Sequence, residues 1–325
     1  MEEKGKKGRM DYTLLLIVVL LVVIGLVILY STSAYNGQVK FHDSFYYLKK
    51  QAFATVLGIV LMLFVAGMDY HIWQRLAVFG YLAAVALSVA VMLFGREING
   101  SKRWLALGPF SFQPSEFAKV ALILFLADLV TKNVKTIGKM WTLCRIMFWI
   151  LPIVGLVGAS NLSTAIIILG IGVILIFVAS PKYAQFALMG IAGACFMGIF
   201  LALESYRLER LAIWRNPEKY EKGYQTLQGL YAIGSGGVFG VGIGNSVQKL
   251  GFVPEAQNDM IFSIICEELG LAGAGIIVFL FLLLIWRFFL IASGSRDLFG
   301  ALIATGAMAH MMIQVILNIA VVTNT

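Results

Sequence analysis

Long apolar runs, repeated along the chain and separated by short polar connections, decide what this sequence can fold into. A bilayer core of ~30 Å is crossed by about 20 residues of helix. Runs of roughly that size lie near 12–30, 52–68, 76–95, 115–131, 146–159, 164–180, 184–203, 260–292 and 299–322. Backbone groups inside lipid have no water to bond, so these runs must be helical. Composition agrees: 60% of the 325 residues are hydrophobic and 13% charged, with a mean hydropathy of +0.89, whereas soluble domains carry roughly 25% charged residues. The expectation is an all-α polytopic membrane protein, one integral membrane domain over residues 1–325 with nine spans. The first run is too long, and too close to many later ones, to be a removed signal peptide.

The first span sets the orientation. Lys4, Lys6, Lys7 and Arg9 precede it, and its far flank has no basic residue until Lys40, so residues 1–11 are placed in the cytoplasm. The two longest polar connections, 95–116 and 204–259, then face outward. About half of the 25 Lys and Arg residues also fall outside, against the usual bias, which suggests a ligand for them. The chain ends at "NIAVVTNT" with no polar tail, and the expectation is a sequence incomplete at this end.

The second connection contains "GLYAIGSGGVFGVGIGNSVQKLGF". No strand precedes it and no βαβ unit surrounds it, so a dinucleotide fingerprint has weak support. Its glycines suit either a backbone that lines a cavity close to a ligand or a flexible loop. His42, His71 and His310 are too scattered for a zinc site.

Charged residues collect in the outer connections. Glu116 and Lys119 are three apart at the start of the fourth span, on one helix face behind Pro114 and Ser115. An interfacial ion pair would account for them equally well. Arg210 follows the seventh span, where snorkelling arginines are ordinary. Asp259 opens the eighth span and could be no more than its N-cap, as could Asn258. Together they suit a lipid with a phosphate or pyrophosphate head group. Glu267 and Glu268 lie deeper, where a charge costs on the order of 3 kcal/mol, so they should face protein, water or a partner.

The motifs "GSKRWLALGPFSFQPSEFAK", "YRLERLAIWRNP", "GYQTLQGLYAIGSGGVFGVGIGNSVQKL" and "PEAQNDMIFSIICEELG" resemble, in this order and over essentially the whole chain, the SEDS family of bacterial cell-wall polymerases. "GIGNSVQKL" followed by "PEA" is more similar to the division branch than to the elongation branch. The resemblance implies a SEDS-type bundle with a tenth span in the full-length protein. It implies an enzyme of the bacterial cytoplasmic membrane that polymerises lipid II into glycan strands on the outer face. The family's aspartate in Pro-Glu-x-x-x-Asp matches Asp259, the catalytic residue. The glutamate and lysine of Gln-Pro-Ser-Glu-x-x-Lys match Glu116 and Lys119, and the arginine after the seventh span matches Arg210. With Lys249 and Gln225 these are expected to bind substrate.

Three departures stand out. Gln257 and Asn258 replace a common His-Thr, "SNLST" (160–164) replaces a Pro-Asp-x-Gly-Thr loop, and the tenth-span signature is absent. Asp259 would act as base in a single inverting displacement with undecaprenyl pyrophosphate as leaving group. A divalent cation, Mg or Mn, is the one cofactor the chemistry could use. Expected partners are lipid II, the growing strand, a class B penicillin-binding transpeptidase and other divisome membrane proteins, with no nucleic acid. The alternatives are a lipid II flippase or transporter, for which Asp128, Gln314 and Asn318 could line a route, an elongation-type polymerase, and a scaffold for division proteins.

Overall fold

The computed structural model describes residues 10–98, 101–107, 110–187, 190, 213–254 and 256–325. They fall into two compact units interleaved along the chain. One combines α1 (Tyr12–Phe41) and α2 (Tyr46–Ala66) with α7 (Tyr224–Gly236) and most of α8 (Ile261–Ser293), and ends with the last part of α9 (Leu298–Thr323). The other combines α3 (His71–Phe94), α4 (Pro114–Asn133), α5 (Met140–Gly158) and α6 (Leu162–Ala179) with the α8–α9 connection and the first part of α9. The chain is an all-α polytopic membrane protein.

Among the described residues 7 helices are long and apolar enough to cross a membrane: α1, α2, α3, α5, α6, α8 and α9. The expected span over 115–131 is the helix α4, but Glu116, Lys119, Asp128 and Lys132 make it more polar than the rest. The expected span over 184–203 lies mostly outside the described residues. The connections are more ordered than the sequence suggests. Residues 95–116 include a three-stranded antiparallel sheet, β1 (Arg96–Ile98), β2 (Ser101–Leu107) and β3 (Phe110–Phe112), with Ile98 opposite Ser101 and Leu107 opposite Phe110. Residues 204–259 include α7 and short 3-10 turns at Pro217–Lys219, Glu221–Gly223 and Gln248–Leu250.

The polarity of α4 has a structural cause. It is the core of its unit, burying Ala118, Leu122, Leu126, Ala127 and Val130 against α3 and α6. Its buried Asp128 accepts from Gln74 Nε2 at 3.0 Å and pairs with Lys132 at 2.7 Å. A helix surrounded by protein can carry paired charge that lipid would not tolerate. Small residues allow close approach, as where Gly306 of α9 abuts Ile123 of α4 and Gly172 of α6 abuts Ile150 of α5.

In the other unit, α8 is 33 residues long but is not one continuous helix, because Gly270 sits at φ 68, ψ −175. The break leaves orphan backbone groups that must find partners. The loop after α7 supplies them. Val241 N–H and Gly242 N–H donate to the carbonyls of Glu267 and Glu268 at 2.9 and 3.0 Å, and the N–H groups of Leu271 and Ala272 donate to Gly237 and Val238 at 3.0 Å each. Side chains are excluded from this contact: a Cβ on Gly240 would run into Glu268 O, and one on Gly270 into Gly240 N. At these positions the glycines approach the backbone of α8, rather than a ligand or solvent.

Candidate functional site

Asp259 lies on a turn running from Gly251 to the start of α8. The inner side of that turn is anchored, because Val253, Ala256 and Met260 are buried with Ile264 and Val322 in one apolar cluster. Its polar side is braced by neighbouring elements. Gln225 Nε2 of α7 donates to Pro254 O at 3.5 Å, Asn36 Nδ2 of α1 donates to Gln257 Oε1 at 3.0 Å, and Asn318 Nδ2 of α9 donates to Asp259 O at 3.4 Å. The backbone of Asp259 is therefore held while its side chain is exposed. Among the described residues nothing donates to or pairs with this carboxylate, so it does not cap α8; the first helical N–H, that of Ile261, goes to Asn258 O at 3.3 Å. A base needs an accessible carboxylate on a held backbone, and Asp259 offers both.

Gln225, expected among the substrate-binding residues, thus braces the Asp259 turn. Lys249, expected beside it, is 5% exposed. Its ammonium pairs with Glu268 Oε1 at 2.6 Å and donates to Ser31 Oγ at 3.0 Å, and Ser31 in turn donates to Glu268 at 2.7 Å. Glu267, one residue earlier, accepts from Ser246 Oγ and from Val247 N–H at 3.0 Å. Both deep glutamates therefore face protein, as the cost of a bare charge requires.

In the second unit Glu116 and Lys119 share a helix face, as their spacing implies, with Lys119 Nζ 2.9 Å from Glu116 Oε2. Glu116 is half-exposed and Lys119 buried. Lys119 Nζ also donates to Gln314 Oε1 at 3.2 Å, and His310 Nε2 lies 2.8 Å from the same oxygen. That oxygen can only accept, so His310 presents Nε2–H to it and keeps Nδ1 free of that proton. The "SNLST" segment also has a structural role: Asn161 caps α6 by accepting from Thr164 N–H at 3.2 Å, and Ser160 O accepts from Arg103 Nε at 2.9 Å. Arg210 and Glu255 lie outside the described residues. Asp259, Gln225 and Lys249 are thus in one unit, and Glu116 and Lys119 in the other.

Sequence reading passed over two members of this set. In the sequence His310 is one of three scattered histidines, and Gln314 suits only the alternative of a transport route. Their four-residue spacing on α9 was the available signal.

The family model for FtsW, RodA and SpoVE, described as cell cycle protein, matches residues 12–325. The chain belongs to the FtsW/RodA/SpoVE family. Stage V sporulation protein E of Bacillus subtilis is 38% identical, over 98% of this chain and 88% of that protein. A probable peptidoglycan glycosyltransferase FtsW of Trichlorobacter lovleyi is 34% identical, over 96% and 84%. Among solved structures, one described as showing structural coordination of polymerization and crosslinking by a peptidoglycan synthase complex superposes with a TM-score of 0.82 at 28% identity, covering 96% of this chain and 87% of that one. Rod shape determining protein RodA of Thermus thermophilus superposes with a TM-score of 0.69 at 26% identity, covering 96% and 84%. Within FtsW/RodA/SpoVE proteins, the present chain carries sporulation-type and division-type relatives at similar identity.

Proposed function

We propose that the protein is a peptidoglycan glycosyltransferase of the bacterial cytoplasmic membrane, polymerising lipid II on the outer face during septum formation. The observation that carries this reading is the exposed carboxylate of Asp259, which nothing among the described residues engages, held by its backbone at the family's Pro-Glu-x-x-x-Asp position. The FtsW-named relatives supply the reaction class.

In this reading Asp259 accepts the proton of the incoming sugar hydroxyl as the hydroxyl oxygen attacks the anomeric carbon. The bond to pyrophosphate breaks in the same displacement, so the centre inverts and undecaprenyl pyrophosphate departs. One base suffices, unlike the paired carboxylates of glycosidases. Lys119 and Arg210, by their motif positions, supply positive charge for the departing pyrophosphate. A divalent ion, Mg or Mn, would add to that positive charge when bound with the pyrophosphate. Chelation followed by Mg or Mn titration tests that part. A class B penicillin-binding transpeptidase is the proposed partner, supported by the synthase-complex neighbour.

Purified protein given labelled lipid II in liposomes, with and without the transpeptidase, tests the whole. Glycan polymer is the expected product. Movement of lipid II between leaflets without polymer would replace this reading with a flippase.

A further inference from the structure

We infer that the buried Lys249–Glu268 pair is a positioning device for the Asp259 turn, and that Lys249 reaches no substrate. The inference rests on the proposed polymerase reading and assigns Lys249 a role different from the substrate contact its motif suggests.

Four consecutive residues are gripped by two adjacent carboxylates of α8. Glu267 takes the hydroxyl of Ser246 and the N–H of Val247, with Gln248 N–H at 3.5 Å, while Glu268 takes the ammonium of Lys249. The Asp259 turn begins directly after this grip. Gly251, at φ +105, redirects the chain, and Val253 N–H returns to Gln248 O at 2.9 Å. The turn then re-enters α8 at Ile261, less than two helical turns before Glu267. Both ends of the Asp259 segment are thus fastened to the same short stretch of helix, and α1 joins the grip through Ser31.

Nothing in the local energetics requires an ion pair for this. Apolar residues of similar volume commonly stabilise a core as well or better. What a buried pair adds is register: among the described residues Lys249 pairs with one anion, Glu268, and a loop displaced by a residue would break that pair inside the core. Two of its three N–H donors are engaged at 2.6 and 3.0 Å, and its burial leaves no route for a lipid-borne head group. A misplacement of about 1 Å at a catalytic group can lower turnover by roughly 10², so a register device here acts on kcat.

The test compares wild type, Lys249→Met and the double variant Lys249→Met/Glu268→Gln in steady-state polymerisation of lipid II. Positioning predicts that Lys249→Met lowers kcat by at least about tenfold, with KM for lipid II within about twofold of wild type. The double variant, which leaves no bare charge, should recover kcat to within roughly threefold of wild type. A lysine that contacts substrate gives the opposite pattern: KM rises by about tenfold or more in both variants, and removing Glu268 rescues nothing. That pattern, or a double variant that assembles or turns over no better than the single one, overturns the inference. If wild type makes no polymer, the polymerase reading fails first, so the two failures are told apart.

Discussion

Lys119 Nζ and Gln314 Oε1 meet at 3.2 Å across 195 residues of sequence, joining the second turn of α4 to the C-terminal half of α9. The contact holds a buried ammonium toward the half-exposed Glu116. Hydrogen bonds to charged groups contribute about 1.5–3 kcal/mol. Gln314→Leu is therefore expected to lower lipid II polymerisation roughly tenfold. His310→Ala should have a smaller effect, because it removes only the group that orients Gln314. Parallel turnover assays on equally expressed variants check the order, and a larger loss for His310→Ala would contradict it.

Asp259→Asn keeps the size of the side chain and removes the proton acceptor. With no capping role in the structure, the change should leave assembly and partner binding intact. Polymerisation should fall by a factor of about 10² to 10⁴. Retention of more than roughly a tenth of the wild-type rate would remove Asp259 as the base.

The proposed orientation is open to labelling. Asn245 is exposed on the segment expected outside, whereas Lys249, a few residues on, is buried. Asn245→Cys should react with an impermeant maleimide in intact cells. The native exposed Cys144 precedes the fifth expected span, on the inner side when the N-terminus is cytoplasmic, and should react only after lysis. Reversal of the two patterns would invert the topology.

Gly240→Ala and Gly270→Ala each place a methyl group against backbone at a positive φ. Each should cost at least about 2 kcal/mol, from strain and from loss of the close approach. Gly275→Ala, with open space around it, should be nearly neutral. Thermal unfolding in detergent would separate them.

A pH signature is expected from the α8–α9 connection. Partial burial and the hydrogen bond to Asp297 push the Tyr70 phenol up to about 12. Partial burial works against ionisation of Asp297, but the Gly300 N–H, the Tyr70 hydroxyl and His71 outweigh it and hold that carboxyl below its usual 3.8. A lowered acid stabilises above its ordinary range and ceases to as pH falls through its folded value. A raised phenol stabilises below 10 and ceases to as pH climbs towards 12. The contribution of this Tyr70–Asp297 pair should decline as pH falls below about 5 and as it rises above about 9. Tyr70→Phe should remove the alkaline decline, which thermal melts across pH would reveal.

Local signals in the sequence were reliable, and long-range ones were silent. The apolar runs gave most of the helices because length and composition are properties of one segment. Glu116 and Lys119 were paired by spacing alone, and Asp259 was placed at a helix start by the polar-to-apolar change. The grip of Glu268 on Lys249 and of Gln314 on Lys119 depends on which elements pack together, which one segment cannot state. The sheet over 96–112 did have a local mark, since Asn99-Gly100 between two short runs is a strong hairpin dipeptide. The glycine-rich segment was the hardest case: its composition fits a cavity wall or a flexible loop, and only coordinates show a strand of backbone completing a broken helix.

That completion has a historical consequence. Where loop and helix touch through backbone alone, the flanking Val238 and Val241 are exposed and free to drift, while Gly240 and Gly270 are answerable to each other. A lineage that replaced either one would meet a clash no second substitution at the other could relieve, since nothing is smaller than glycine. The two positions, 30 residues apart, should therefore pass through descent as a single unchanging character, even in branches whose surrounding sequence has turned over completely.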